Sequence, residues 1–411
     1  MGGPMAAPNA LAPDPFLTDE YFENPAAVLA RVRDEDPVHL LPGFNAWIIT
    51  RWDDVRRLFT DPNVTNDRRA YEHYSAPPEG SVARWIAENS PFAAPPDQHA
   101  RMRRLVSAAL TPRAVKRMES QVRAVVEEFA RPLRDRDGVV DLYDEFTEPI
   151  PNTVIGRITG VPPKGDDELH WRQLGRDAVR GISPFLSAEE RKRSEDSMAE
   201  LCEYVRALAG ERRKQPQEDL VSDLVLTHDE NDQMSTDEIV LMVAGLVAAG
   251  TETTTIGGTH GLRTLLAHPD QMELLRGDGR LMPNAVDEIL RFDFGSLGLP
   301  RYAIRDFELC GKTIRKGQIL LLSFLGAHRD PAVFPDPDRF DIRRDTRDLA
   351  IFGHGPHYCL GVNLARTELA CMFDAALSFL PPGAHVVEEQ VRWERFAIFS
   401  RLASLPTALA R

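Results

Sequence analysis

Residues 352–361 read Phe-Gly-His-Gly-Pro-His-Tyr-Cys-Leu-Gly, and Val362-Asn-Leu-Ala-Arg366 follows as the start of an apolar-periodic run. Turn formers crowd the first stretch and helical spacing takes over in the second, which predicts a loop and then a helix over 362–380. Cys359 therefore stands just before a helix N-terminus, where unpaired N–H groups and the helix dipole favour a thiolate. Gly355 and Gly361 leave room for backbone N–H groups to approach the sulfur, and Phe352 can shield it. No second cysteine lies within zinc-motif distance. Cys202, Cys310 and Cys371 lack these surroundings and read as small buried apolar side chains.

Upstream, the best-marked helix starts at Ser235, where Ser-Thr-Asp-Glu places a capping hydroxyl ahead of Glu238. Nothing stops it before His268-Pro269, although Gly245, Gly250, Gly257, Gly258 and Gly261 lie inside it. Each glycine costs up to about 1 kcal/mol relative to Ala in a helix interior, so this helix is held by burial. Gly250 is expected to mark a close approach to its backbone. Helical periodicity also runs through 24–34, 98–110, 115–129 and 187–213, whereas short β-like runs are few: Val38 to Leu41, Ala46 to Thr50, Tyr302 to Arg305 and Ile319 to Phe324. The fold class expected is mainly α with small β-sheets. No fixed-period repeat or long linker divides the chain, so one domain over 14–411 is expected after a flexible tail over 1–13.

The 411 residues carry 49 Lys+Arg against 63 Asp+Glu, a formal net charge of −14. Such a surface repels phosphate backbones and anionic lipid, which disfavours a nucleic-acid or membrane role. Hydrophobic residues at 43% supply an ordinary globular core. Four unpaired-looking cysteines indicate a reducing compartment. The N-terminus has neither the basic residues nor the apolar run of a targeting peptide, and Ile239 to Gly250 is far short of the ~20 residues that span a bilayer. A cytoplasmic protein is expected. The basic residues are almost all Arg, as a GC-rich bacterial genome would encode.

Phe352, Gly355, His357, Cys359 and Gly361 match the haem-binding loop F-x-x-G-x-H-x-C-x-G of the cytochrome P450 superfamily in its bacterial form. The resemblance covers residues 14 to 406 and implies a single-domain triangular prism holding haem b between the long oxygen-side helix and the Cys-loop helix. Cys359 would be the axial thiolate and the one metal ligand, the ligand class that favours O–O cleavage. His99-Ala-Arg-Met-Arg103 is similar to the family's H-x-x-x-R, two residues on one helical face that bind a haem propionate; Arg301 and His357 match the other propionate partners. Carboxylates suit such donors. Glu288-Ile-Leu-Arg291 resembles E-x-x-R, and Pro337-Asp-Arg-Phe340 resembles P-E-R-F, with Asp338 in place of Glu. A buried network of Glu288, Arg291 and Arg339 is the implied support of the loop. Ala327-His-Arg-Asp-Pro331 is similar to A-N-R-D-P, with His328 for the commoner Asn.

Ala249-Gly-Thr-Glu-Thr-Thr254 resembles A/G-G-x-D/E-T-T/S. It implies that Thr253 hydrogen-bonds dioxygen and that Glu252 relays protons. A helix hydroxyl can also bond its own i−4 carbonyl, here Ala249, and locally open the helix into a groove beside Gly250; Thr251 and Thr255 are expected to be satisfied by backbone carbonyls. The implied activity is monooxygenation, hydroxylation or epoxidation, of a hydrophobic secondary metabolite such as a polyketide, macrolide, terpenoid or steroid. The sequence carries no dinucleotide fingerprint and no four-cysteine iron–sulfur pattern, so electrons would come from an external ferredoxin and its NAD(P)H-dependent reductase. They would dock near Arg104, Arg113, Lys116 and Arg366. A peroxide-driven enzyme and a non-enzymatic haem sensor or carrier are the alternatives. The Glu252-Thr253 pair speaks against the first and the lack of an output domain against the second.

Overall fold

A computed structural model describes residues 14–409 apart from 92–93, 162–167, 182, 184–185, 227–233, 296–297, 347–348 and 397–398. The tail expected over 1–13 lies outside the described residues. Helices in the first half are α1 (Asp19–Glu23), α2 (Pro25–Glu35), α3 (Trp52–Leu58), α4 (Val82–Asn89), α5 (Pro96–Ser107), α6 (Pro112–Ala130) and α7 (Pro149–Thr159). They are followed by α8 (Glu168–Arg180), α9 (Ala188–Lys214), α10 (Leu220–Leu226), α11 (Thr236–Ala267), α12 (Pro269–Gly277), α13 (Met282–Phe292), α14 (Phe324–His328) and α15 (Val362–Phe379).

The strands are β1 (Val38–Leu41), β2 (Ala46–Ile49), β3 (Val64–Thr65), β4 (Gly138–Asp141), β5 (Gly298–Ala303) and β6 (Phe307–Leu309), then β7 (Lys312–Ile314), β8 (Ile319–Ser323), β9 (His385–Val386), β10 (Trp393–Phe396), β11 (Phe399–Leu402) and β12 (Pro406–Leu409). The largest sheet has the order β1-β2-β8-β5-β3. Its β2–β8 pair is parallel, with Trp47 opposite Leu320, and β5 runs antiparallel to β8, with Arg301 opposite Leu320. The expected strand over 302–305 thus starts earlier, at Gly298, and ends at Ala303, because Ile304 and Arg305 form a bend. Phe324 leaves β8 to open α14, whose N-terminus is capped by the Ser323 hydroxyl.

The core is built on α11. Its Ser235 cap and Glu238 form the expected capping box, and most of its length is buried. By length and composition α11 is the one helix among the described residues that would cross a membrane, yet 67% of its most apolar window is buried inside the protein. It packs against α7, α8 and α9 on one flank and α13 and α15 on the other. Close approach occurs at glycines, but not where expected. At Gly250 an added Cβ would meet only Ile155, at an ordinary 3.4 Å, whereas at Gly258 it would lie 2.7 Å from Met372 Cε and at Gly261 2.9 Å from Ile289. α15 is the partner that presses on α11, since Met372 and Phe373 belong to it. The helix is α-helical throughout, so the expected opening near Gly250 does not occur.

Candidate haem-thiolate site

Cys359 lies between a single 3₁₀ turn, Gly355–His357, and the start of α15. The loop turns through Gly353 and Gly355, both at φ of about +70° (72° and 71°), a region closed to most side chains. Its geometry is pinned by the Cys359 N–H, which donates to the Phe352 carbonyl at 2.8 Å. The Phe352 ring is covered by the Arg366 guanidinium 4.7 Å from its centroid, and Arg366 is fixed by Asp287 at 2.7 Å. A cavity of about 210 Å³ opens beside the loop, lined among others by Trp52, Phe59, Phe352, Tyr358 and Arg366.

The expected depression of the Cys359 thiol is not what the surroundings produce. Burial pushes it up, and the Gly361 N–H with the more distant Arg103 and Arg366 only offsets this in part. Desolvation outweighs the helix end. A metal cation at the sulfur would remove that obstacle, because a coordinating thiol exchanges its proton, which leaves to solvent, for the bond to the metal. Burial also pushes Cys202 up to about 12 and Cys371 to about 11, as fits inert core thiols. Cys310 departs from the expectation: it is exposed, at the positive-φ corner between β6 and β7.

The structure brings the four expected anion donors together. His99 and Arg103 share a face of α5; the His99 and His357 rings meet at a tilt of 38°, 4.1 Å between centroids, and Arg103 donates to the Tyr358 carbonyl. Burial, with His99, Arg301 and Arg103 nearby, holds His357 down to about 4, and burial and then Arg103 lower His99. Arg301 is 6% exposed, donates to its neighbouring Pro300 carbonyl at 2.9 Å and lies over Phe59. No carboxylate among the described residues pairs with it, and burial lowers it to about 10. A buried guanidinium without an anion is costly. Two guanidiniums and two imidazoles clustered in this way fit the carboxylates of a dianionic group held on Cys359.

On α11, Thr253 is exposed while Thr251, Glu252 and every residue from Thr254 to Leu262 are buried. Its Oγ1 donates to the Ala249 carbonyl at 2.7 Å, as expected. Thr251 bonds the Ala248 carbonyl at 3.3 Å, but the buried Thr255 hydroxyl has no hydrogen-bond partner among the described residues. Glu252 is not a free acid beside Thr253; its carboxylate is ion-paired with the buried Arg401 of β11.

Behind the loop, Arg291 and Glu288 are fully buried and doubly bonded, at 2.6 and 2.9 Å. Arg291 also donates to the carbonyls of His328 and Pro337, both at 2.9 Å, and of Arg339 at 3.4 Å. The third side chain expected in this network was Arg339, but its guanidinium is 65% exposed and reaches Asp341 instead. Arg344 takes the place, 3.2 Å from Glu288 Oε1. His328 holds the loop's approach by accepting the Ala350 N–H at 2.9 Å, and burial keeps it neutral, at about 3. Asp338 pairs with Arg329 at 2.5 Å. Sequence reasoning missed Arg344 and Arg401, since neither sits in a local pattern that names its partner.

The fold and this donor set would suit an anionic prosthetic group seated beside one cysteine. A family profile described as Cytochrome P450 matches residues 177–379. The chain is 33% identical over 357 residues to epothilone C/D epoxidase of Sorangium cellulosum, covering 85% of this chain and 84% of that one. It is also 33% identical over 398 residues to the cytochrome P450 monooxygenase PikC of Streptomyces venezuelae, covering 95% and 92%. Among solved structures, epothilone D-bound P450epoK superposes with a TM-score of 0.87 at 29% identity, covering 98% of this chain and 100% of that one. The chain belongs to the cytochrome P450 family and is a cytochrome P450 monooxygenase. The family implies haem iron with thiolate ligation, and the residues described above fit it.

Proposed function

We propose that this chain oxygenates a hydrophobic bacterial secondary metabolite of the polyketide or macrolide class, using one atom of O₂ and electrons from an external ferredoxin. The substrate class is supported by relatives named epothilone C/D epoxidase, 6-deoxyerythronolide B hydroxylase and mycinamicin IV hydroxylase/epoxidase, at 32–33% identity. The observation that carries the reading is Thr253: one exposed hydroxyl in an otherwise buried stretch of α11, next to a carboxylate.

Cys359 would ligate the iron, with Gly361 N–H donating to its sulfur, while His99, Arg103, Arg301 and His357 would hold the propionates. Haem, when bound, supplies oxygen binding and activation. Phe352 would shield the sulfur from water, and Gly250 on α11 would leave room at the opposite wall. Thr253 holds a proton at Oγ1, and its bond to Ala249 fixes the hydroxyl in place. Glu252 would replenish that proton whenever its pairing with Arg401 is relaxed. Incubation with a macrolide panel, a ferredoxin, its reductase and ¹⁸O₂ tests the reading: a product carrying one heavy oxygen supports it, and product only with added peroxide overturns it.

Thr253→Ala is expected to uncouple the enzyme, lowering product per reductant by at least about tenfold while hydrogen peroxide accumulates. Retained coupling would mean that protons travel by another route. For electron delivery, Arg104, Arg113 and Lys116 are exposed on α5 and α6, Lys116 beside Glu119, and Arg366 is held by Asp287 over Phe352. Charge reversal at Arg113 and Lys116 is therefore expected to raise the KM for an acidic ferredoxin at low salt and leave peroxide-supported turnover unchanged. Unchanged ferredoxin dependence would place docking elsewhere. A cytoplasmic location fits this electron supply.

A further inference from the structure

Glu252 is 6% exposed and stands at the inner end of a row of alternating charges. Arg401 of β11 pairs with it and also with Glu394 of β10, at 2.9 Å from Nε and 2.5 Å from Nη2. Glu394 in turn pairs with Arg180, the last residue of α8. Beyond it, Asp177 lies 3.8 Å from Arg180 and 3.3 Å from Arg193 of α9. Side-chain exposure is 7% at Glu252 and 5% at Arg401, but 32% at Glu394, 17% at Arg180 and 48% at Arg193. The inner pair is dry, whereas Glu394 and Arg193 are open to solvent and Asp177 is again buried, at 4%.

We propose that Arg401 is the positioning residue of Glu252, and that Glu394 and Arg180 make its grip depend on where the end of α8 lies. This rests on Glu252 being the proton-relaying acid. A carboxylate ion-paired with a buried guanidinium is held in its charged form and carries no proton to pass on. Loss of the cation leaves a buried carboxylate that favours protonation. Arg401 cannot serve both carboxylates fully. When Arg180 neutralises Glu394, Arg401 is left to Glu252; when Arg180 moves away, Glu394 draws Arg401 outward and Glu252 takes up a proton. A surface depression of about 390 Å³ lies at the α8–α9 seam beside this row, lined by Gln173, Asp177, Arg193 and Ser197 among others. The other groups facing Arg401 are Tyr143 and, on α8, Arg176, which is itself 3.4 Å from Glu148. On α11, His260 is taken by Asp293 at 3.0 Å.

The alternation gives a test that general destabilisation would not mimic. In the holoenzyme, the infrared band of the protonated carboxyl that disappears in Glu252→Gln is titrated against pH, with the reduced carbon monoxide spectrum confirming an intact site. Arg401→Met is expected to move the midpoint upward by about one pH unit or more, and Arg401→Lys to restore it. Arg180→Met is expected to shift it upward by less. Glu394→Gln, which leaves Arg401 wholly to Glu252, is expected to shift it downward. A wild-type midpoint in Arg401→Met overturns the proposal. If Arg401→Met does not fold, Glu394→Gln and Arg180→Met decide, and shifts of the same sign, or none, overturn it. The functional reading is separate: coupling unchanged in Glu252→Gln removes the acid's role whatever the midpoints do.

Discussion

Cys359→Ser is expected to abolish the strongly red-shifted Soret band of the reduced carbon monoxide complex, and turnover with it, while Cys371→Ser keeps both. The reason lies in the proton. Burial already holds the Cys359 thiol above its usual range, with the Gly361 N–H as the main local opposition. A metal at this position would make up for that burial: the metal–sulfur bond replaces the S–H bond and the proton leaves to solvent. A serine hydroxyl has the same shape and a far weaker acidity, so the axial charge is lost even if the loop stays folded. Cys371 is buried on α15, and burial, against the nearby Arg123, pushes its thiol up to about 11. Persistence of the red-shifted band in Cys359→Ser would remove this cysteine from the iron.

Arg291→Met is expected to destabilise the fold by about 3–5 kcal/mol, because it leaves Glu288 as a fully buried charge without its closest cation and without two of its four hydrogen bonds. Glu288 would retain Arg344 at 3.2 Å and the Asp341 N–H at 3.0 Å. The carbonyls of His328 and Pro337 would lose their charged donor. Arg339→Ala is the matching control. Its side chain is 65% exposed, and its carbonyl, the part that meets Arg291, survives the substitution, so the change should stay within about 0.5 kcal/mol. Urea denaturation of the two variants checks both numbers, and equal losses would restore Arg339 to the network.

Those two arginines show where the sequence is legible. Residues whose roles are set by near neighbours were readable: the Ser235–Glu238 capping box, the His99 and Arg103 pair on one helical face, the turn-rich loop around Cys359, and the Thr253 bond to Ala249. Arg301 and His357 could be placed only through the family's motif order, since three different segments, α5, β5 and the cysteine loop, supply the donor cluster. What remained hidden depends on contacts that folding alone creates. Arg344 and Arg339 lie five residues apart in the same coil, and only their backbone directions decide which faces Glu288. Arg401 belongs to a hairpin with no pattern that refers to α11. The Cys359 thiol was misjudged for a related reason: a helix N-terminus is visible in sequence, but the depth of burial that outweighs it is not.

The contact of α11 with α15 has a consequence for divergence. The helix that presents Thr253 and the helix that follows Cys359 meet through glycines, with Met372 and Phe373 of one seated where the other has no side chains. Spacing across the chemistry is thus machined by a hard bearing rather than by loops. Relatives that accept different molecules can therefore vary the outer segments and the far end of α11 freely, while this bearing keeps the same tolerance. A laboratory search for new substrates would do best to leave Gly258 and Gly261 untouched and to randomise elsewhere.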